Sequence, residues 1–468
     1  MNTVNEVKDW AILPYNTEKI NDHYLISNVL GSWDLLDFDE FKCLEQFSLN
    51  ENDELFNKLY DKGLIIKEKN LTKLINEYRE LNSHLFTDAS LHIAVLTTRC
   101  NIACNYCQTR TEEPSDMNLI TAGKIIDYCY GMRNQNINLE FQGGEPLLNW
   151  DVLKYLVVSI REFTPVNKNI KISLVTNGVL LDDEKVDFLV SHDVSICISV
   201  DGPAEVHNAN RVFSEGKGTY EHAKAAINRL KAAYKKDSTH RRIDLLPTLS
   251  KQSLSHARAI IDEYVEWGVT TMSLRPTNKM GGAQCQWDNI GFSPEEFNYF
   301  WSDAMDYMLE LNKKGITIRE TMAVVMLIKI LKKQNPGHVD LMSPCGAGRS
   351  VITYMPTGDI YPCDEARMVG GDIFKLGNVL ENTYEQAIKN PKLFSICESS
   401  MMDLWDYNSA FFPWTGTCPV LNYVSQENLI PKITQTPKYK IHNFQLKYLF
   451  TKIVEDKKNL EIFQRWTN

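Results

Sequence analysis

Three cysteines fall within eight residues, in the run Cys100-Asn101-Ile102-Ala103-Cys104-Asn105-Tyr106-Cys107. Thiolates at that spacing can ligate three irons of a cubane cluster and leave the fourth iron without a protein ligand. An open coordination position is what a catalytic metal needs, whereas structural metal sites are closed. Half of a zinc site, or three unrelated thiols, are the plainer alternatives; a fourth nearby Cys or His is missing. Of the eleven cysteines, four more (Cys345, Cys363, Cys397, Cys418) are confined to one later stretch, and Cys43, Cys129, Cys197 and Cys285 are scattered. The N-terminus has neither a basic nor an apolar leader region, so the cysteines read as metal ligands or buried thiols before disulfides. Cys197, inside the apolar run Val194 to Val200, reads as a small buried hydrophobe.

The elements that must position this loop follow from periodicity. Between about 91 and 315, strand-like runs at Leu91–Thr98, Ile137–Gln142, Ile170–Thr176, Val194–Val200, Arg242–Thr248 and Thr270–Arg275 alternate with amphipathic helical segments. Such alternation implies an α/β fold of parallel strands with right-handed helical crossovers. Six βα repeats suit a partial (β/α)6 TIM-like barrel better than a closed eight-stranded one. The cysteine run directly follows the first strand, at the end of the barrel where such folds place their chemistry. Before it, short strands, the helical patterns Phe38–Phe47 and Glu54–Lys62 and the strand-like Leu64–Ile66 resemble a winged-helix unit, and Leu71–Phe86 forms a linking helix. After about 340 the chain is irregular and rich in Gly, Pro and Cys, then ends in a helix near Phe444–Glu455. The expected domains are residues 1–88, 89–335 and 336–468.

Polar motifs recur at successive strand ends. Gly143-Gly144-Glu145-Pro146 follows the second strand, where paired glycines would let backbone carbonyls approach a ligand and the carboxylate would face a cation. Thr176-Asn177-Gly178 ends the third. Ser199-Val200-Asp201-Gly202-Pro203 ends the fourth, followed by His207 and Asn210-Arg211, and Arg275-Pro276 ends the sixth. Singly, each could be a turn. Together with Cys-x3-Cys-x2-Cys and an aromatic (Tyr106) before its last cysteine, the sequence over 91–280 resembles the radical S-adenosylmethionine (SAM) enzymes. The resemblance implies one 4Fe–4S cluster on Cys100, Cys104 and Cys107, with SAM at its open iron. It implies a cofactor site containing Tyr106, with Gly143, Gly144, Glu145 and Pro146 at the SAM amino group and Thr176, Asn177, Ser199, Asp201 and Arg211 near its ribose and carboxylate. It also implies hydrogen abstraction by a 5′-deoxyadenosyl radical and an external electron donor of flavodoxin or ferredoxin type.

The segment Cys345-Gly346-Ala347-Gly348-Arg349, followed by Gly358-x4-Cys363-Asp364-Glu365, resembles the opening of a SPASM domain, which carries auxiliary iron–sulfur clusters in peptide-modifying radical SAM enzymes. With Gln108, Phe141-Gln142 and Thr417-Cys418-Pro419-Val420, the closest resemblance is to the His-Xaa-Ser system radical SAM maturases. The family's next element is Cys-x2-Cys-x5-Cys-x2-Cys. Placing its last cysteine on Cys418 puts Thr415, Ser409 and Asp406 at the other three positions, and the final ligand falls near Tyr439. Ser and Thr are poor iron ligands, so auxiliary clusters are not expected; a single one would need Cys345, Cys363 and Cys418 or Cys397 plus a non-Cys ligand. The aromatic run Phe411-Phe412-Pro413-Trp414 is expected to fill the vacated space. Asp364 resembles the position of the general base in sulfatase-maturing relatives, the alternative being a solvated acid or a cap.

Across 468 residues the charges sum to 50 − 60 = −10, with 43% hydrophobic and 24% charged residues. That excludes a disordered or collagen-like chain, and the acidity argues against a nucleic-acid partner. No run approaches the ~18 apolar residues of a membrane span, so a cytoplasmic protein is expected. The resemblance implies modification of a ribosomally made peptide or protein side chain by crosslinking, epimerisation or oxidation. Its partners would be a precursor peptide or protein gripped by the N-terminal unit and, in some such systems, a second radical SAM protein. The rivals are formylglycine formation of the sulfatase-maturase type and a non-catalytic precursor-binding subunit.

Overall fold

The computed structural model describes residues 9–110, 113–237, 241–401 and 408–468. Strands β1 (Trp10–Ile12), β2 (Asn16–Ile20), β3 (His23–Ser27) and β4 (Trp33–Leu36) open the chain, followed by helices α1 (Phe38–Glu45) and α2 (Glu54–Asp61), strand β5 (Ile65–Lys67) and helix α3 (Glu68–Leu81). β2, β3 and β4 form an antiparallel sheet, and β1 pairs antiparallel with β5. Ile26, Leu36, Leu44, Phe56 and Leu59 close a small core between them.

The central sheet begins with β6 (Leu91–Thr97), β7 (Asn136–Gly143), β8 (Asn169–Thr176) and β9 (Val194–Ser199). Helices α4 (Leu119–Gly131), α5 (Trp150–Phe163) and α6 (Asp183–Ser191) cross between them. These four strands pair in parallel in chain order, as the alternating pattern predicts. β7 shows why: Ile137, Leu139 and Phe141 are buried, and the intervening Asn138, Glu140 and Gln142 occupy the opposite face. A parallel barrel strand with polar alternate residues leaves a polar lumen inside a ring of apolar helix contacts.

Beyond β9 the barrel breaks up. Helices α7 (Ala204–Asn210) and α8 (Tyr220–Lys236) lead to β10 (Asp244–Leu246), which pairs with β9. Pro247 has no N–H to donate, and the expected fifth strand splits there. Its second piece, β11 (Thr248–Leu249), is followed by α9 (Ala257–Glu266), β12 (Thr271–Met272) and β13 (Arg275–Pro276). β11 pairs with β13, while β12 pairs with β14 (Arg319–Glu320). A partial barrel results, as expected.

Helices α10 (Trp287–Ile290), α11 (Pro294–Lys313) and α12 (Thr321–Lys332) follow, α11 starting at a capping box of Ser293 and Glu296. The free edge of β6 is then covered by β15 (Val351–Tyr354) in parallel register, with β16 (Asp359–Tyr361) and β17 (Gly377–Asn378) antiparallel beyond it. A four-residue segment inside an irregular stretch carries too little periodicity to announce this pairing. Helices α13 (Asp364–Val369), α14 (Tyr384–Ile388), α15 (Pro391–Ser399), α16 (Pro419–Gln426), α17 (Pro437–Glu455) and α18 (Lys457–Trp466) complete the chain. α17 contains the anticipated terminal helix but starts at its Thr436 cap, and it packs on α11. Among the described residues no helix is long and apolar enough to cross a membrane.

Candidate active site

The cysteine run leaves β6 as a loop whose backbone is tied to the segment after α7. Ala103 N–H donates to the Val212 carbonyl (2.7 Å), and Asn105 N–H donates to the Asn210 carbonyl (2.9 Å). The Asn105 side chain adds a bond to the Ala209 carbonyl at 2.9 Å. Cys100 is exposed, Cys104 and Cys107 are half-buried, and all three thiols are free. Desolvation of the Cys100 sulfur, which points inward although Cys100 as a residue is exposed, pushes that thiol up to about 11; burial pushes that of Cys104 up to about 12, and Cys107 adds to both rises. Three soft donors on one short loop, none of them in a disulfide, are a donor set that fits an iron–sulfur cluster. Among the described residues no three Cys, His, Asp or Glu side chains gather tightly enough to hold a single metal ion.

Two buried polar locks hold this loop against the strand ends. In the first, Asp201 after β9 is completely buried. Its Oδ2 accepts the Tyr106 hydroxyl (2.5 Å), and its Oδ1 accepts Arg211 Nε–H (3.0 Å) and the Thr248 backbone N–H (3.0 Å). The Arg211 guanidinium lies 5.4 Å from the centre of the Tyr106 ring. Although burial alone would lower it, the charge of Asp201 holds the Arg211 guanidinium well above its ordinary value. His207 is buried against Thr219, its Nε2 2.9 Å from the threonine hydroxyl, and burial pushes its imidazole down to about 4.

In the second lock, Glu145 is also completely buried. Its carboxylate accepts the Thr176 hydroxyl (2.8 Å) and the backbone N–H groups of Asn177 (2.9 Å) and Leu147 (3.1 Å). Burial pushes this carboxyl up to about 7 against the pull of those bonds. Within the chain itself its partners are uncharged: one hydroxyl and two backbone N–H groups. The neighbouring glycines admit the cysteine loop. A Cβ on Gly143 would sit 2.4 Å from the Thr97 carbonyl oxygen, and one on Gly144 would sit 2.2 Å from that of Arg99. Both glycines let the cysteine loop itself approach, with Gly144 N–H and Glu145 N–H donating to those same carbonyls. Pro146 starts the buried turn that follows.

Asn177 bridges from the second lock to the cysteines, donating to Asn101 Oδ1 at 2.8 Å with Cys100 Sγ 3.9 Å away. Ser199 ends β9, half-buried. Sequence reasoning missed Gly281 and Gly282, whose Cβ atoms would lie 1.9 Å from the Gln108 carbonyl and 2.6 Å from that of Cys107. The adjacent glycine pair was the available signal.

Asp364 stands apart from both locks, in the first turn of α13. Its Oδ1 accepts Arg367 Nε–H at 2.7 Å, and Arg367 also donates to Gln142 Oε1 at 3.0 Å. Gln142 in turn donates to Glu140 (2.7 Å), which accepts the Ser173 hydroxyl at 3.3 Å. Arg367, Glu140 and Ser173 are thus a lumen network that motif reading overlooked; the polar alternation along β7 was its signal.

The C-terminal thiols are not scattered remnants. Cys345, Cys363 and Cys418 share one buried apolar cluster with Ile93, Val95, Tyr361 and Phe374. Burial raises all three thiols, Cys418 up to about 11, and Cys345 and Cys363 are raised further by Cys418. His338, a few residues before Cys345, is half-buried, and its buried Nδ1 has no hydrogen-bond partner among the described residues. The aromatic run lies elsewhere than expected. Phe411 and Trp414 pack on Phe450 of α17, with ring centres 6.0 and 5.0 Å away, and join the main core. Large rings gain most where the N-terminal unit and α17 meet, and Trp33 joins them there on Phe450 at 5.2 Å. Thr415 is buried and Ser409 is described, whereas Asp406 lies outside the described residues.

Residues 94–260 match the radical SAM superfamily. An uncharacterised protein of Methanocaldococcus jannaschii is 28% identical over 41% of this chain and 65% of its own, so the match spans just under two thirds of that relative. The cysteine-type anaerobic sulfatase-maturating enzyme of Clostridium novyi is 21% identical over 67% of this chain and 82% of its own. The mycofactocin maturase of Mycolicibacterium smegmatis is 26% identical over 64% and 70%. Among solved structures, anSMEcpe with bound AdoMet and Cp18Cys peptide superposes with a TM-score of 0.68 at 19% identity, covering 81% of this chain and 99% of that one. Streptococcus suis SuiB bound to precursor peptide SuiA gives 0.54 at 14% identity, covering 90% and 98%. These likenesses show the fold.

Proposed function

Because residues 94–260 form a radical SAM domain, we propose that this chain modifies a side chain of a ribosomally made peptide or protein. The observation that carries the proposal is a loop of three free thiols, fastened to the ends of parallel strands by two buried polar locks. The peptide class is supported by the sulfatase- and mycofactocin-maturing relatives and by the peptide-bound structures of similar fold. We carry the narrower likeness to His-Xaa-Ser maturases as part of the proposal.

Cys100, Cys104 and Cys107 would hold the cluster, which with SAM at its open iron supplies a 5′-deoxyadenosyl radical able to take hydrogen from an unactivated carbon. Asn177 and Ser199 are the candidate contacts to SAM. Asp201, Arg211, Tyr106, Glu145 and Thr176 act behind them by fixing loop positions, and Gly143 and Gly144 by permitting close backbone approach. Asn138, Glu140, Gln142 and Ser173 line the lumen where a substrate side chain would enter. Asp364, with Oδ1 committed to Arg367, offers Oδ2 to a proton leaving an oxidised substrate. A flavodoxin- or ferredoxin-type donor would supply the electron, in the cytoplasm, and a second radical SAM protein is a further candidate partner.

With most of the expected cysteine ligands replaced, the C-terminal region would carry no cluster. Convergence of Cys345, Cys363 and Cys418 supports a second reading, one auxiliary cluster on those thiols with a non-Cys fourth ligand. Iron and sulfide after anaerobic reconstitution separate the two: about four of each per chain for the first, about eight for the second.

The deciding experiment is anaerobic incubation of the reconstituted chain with SAM, a reductant and candidate peptides. Production of 5′-deoxyadenosine by this chain alone excludes a purely precursor-binding role, and its absence with every peptide sinks the proposal. The sulfatase-maturating relative favours formylglycine formation as the alternative outcome. The corresponding mass change on a sulfatase-motif peptide would establish it.

A further inference from the structure

Where the barrel meets the C-terminal unit, the end of β13 approaches α13 through Arg275 and Glu365, whose charged ends come within 3.7 Å. The Arg275 backbone pairs with Thr248, whose N–H donates to Asp201 in the first lock, so β13 runs beside the anchor of the cysteine loop. Glu365 lies in the first turn of α13, next to Asp364. Desolvation alone would lower the Arg275 guanidinium, yet the carboxylates of Glu365, Asp340, Asp364 and Glu140 together hold it above its ordinary value.

Three of those four carboxylates are already engaged. Asp364 accepts Arg367 at 2.7 Å, Asp340 accepts Lys438 at 2.9 Å, and Glu140 accepts Gln142 at 2.7 Å. Arg275 and Glu365 are left to each other at a separation too long for a hydrogen bond. Among the described residues, neither side chain bonds to any other residue. Arg275 keeps 40% of its side chain accessible and Glu365 16%. An ion pair this loose, and partly open to water, does little to hold two units together. It does present a planar fork of donors beside a free acceptor.

The complementary ligand carries a carbonyl acceptor beside an N–H donor on one edge. A lone carboxylate would be repelled by Glu365, and a lone ammonium by Arg275. An extended peptide residue turns its N–H and C=O to the same side, and the primary amide of Asn or Gln does likewise. We propose that Arg275 and Glu365 grip an amide edge of the substrate, the guanidinium donating to its carbonyl and the carboxylate accepting its N–H. This rests on the peptide reading above and names the group by which the peptide is held.

The test reads binding to the full chain by magnetisation transfer from protein to ligand in NMR, so no turnover is needed. The probes are N-acetylalanine N-methylamide, its O-acetyllactate analogue with oxygen in place of the alanine N–H, and propionamide. The oxygen analogue should bind roughly tenfold more weakly than the amide, the loss of one charge-assisted bond. Arg275→Met should weaken the amide by a similar factor, and Glu365→Met should erase the difference between amide and analogue. Tighter binding of N-acetylalanine N-methylamide than of propionamide would support the pair and identify peptide backbone as the source; the reverse order would support it and identify an Asn or Gln side chain. Absence of binding by every probe, equal binding of amide and analogue to the wild-type chain, or a difference that survives Glu365→Met would overturn the proposal. The wild-type comparison needs no variant, and it stands even where a substitution lowers the melting temperature. Failure of the peptide reading itself shows elsewhere, as absence of 5′-deoxyadenosine with every peptide.

Discussion

The same side chain appears in this molecule in two settings. Cys100, Cys104 and Cys107 lie within eight residues of one loop, partly open to solvent and fastened by ionised and hydrogen-bonded neighbours. Cys345, Cys363 and Cys418 come from three separate segments and meet inside an apolar cluster. In the first set the chain's own short spacing gathers the thiols, and tertiary structure only aims them. In the second, tertiary structure does the gathering. A thiol loop at a barrel mouth is arranged to bind something; buried thiols are equally at home as small hydrophobes. Local spacing is therefore strong evidence of chemistry, while convergence of distant cysteines needs a measurement.

The comparison is broken most sharply at the loop. Cys104→Ala should reduce 5′-deoxyadenosine formation to background and lower the iron content of reconstituted protein by about four per chain. Retained activity would show that the loop is not the catalytic metal site. Asp201→Asn should cost about 3–5 kcal/mol in urea unfolding, because it leaves the buried Arg211 cation without its counter-charge. A loss below about 1 kcal/mol would mean that the lock is not what holds the loop.

The second lock is tested by pH. The folded Glu145 carboxyl sits at about 7 against an ordinary value of 4.5, so the folded state keeps a proton that the unfolded state releases. Its contribution is fully present below about pH 4.5 and is lost as pH rises through about 7. Relative to Glu145→Gln, the wild-type protein should lose up to about 3 kcal/mol across that window. Parallel stability curves for the two proteins would contradict the assignment. Glu320 is shifted the same way, also to about 7, and the comparison with the variant cancels it.

The smallest effect separates the readings of the C-terminal set. If Cys363 is only a packed thiol, Cys363→Ala should cost about 1–2 kcal/mol and leave iron content unchanged. A loss of about four irons per chain with the Cys100 loop intact would assign that set a cluster of its own.

Much of this was legible beforehand where interactions are short-range. The β6–β9 ladder followed from apolar alternation and helix spacing. The cysteine loop, the Gly143–Pro146 turn and the Thr176–Asn177 end could be placed at strand ends from order alone. Their roles were less legible. Nothing in Gly-Gly-Glu-Pro says that the glycines make room for Thr97 and Arg99, or that Glu145 accepts from Thr176 and Asn177. Those facts depend on which backbone lies opposite.

By itself, then, the sequence determined what rests on local spacing and period: parallel strands, crossover helices, a three-thiol loop and the residue types around it. Tertiary structure alone decided which polar groups satisfy each other. It paired Asp201 with Tyr106 and Arg211, drew β15 onto the edge of β6, gathered the C-terminal thiols, and carried Trp414 into the core with its N–H unmet. The physical reason is range. Periodicity and capping act within a few residues, whereas burial of charge and packing of rings are settled between segments ten to hundreds of residues apart, where no spacing rule reaches.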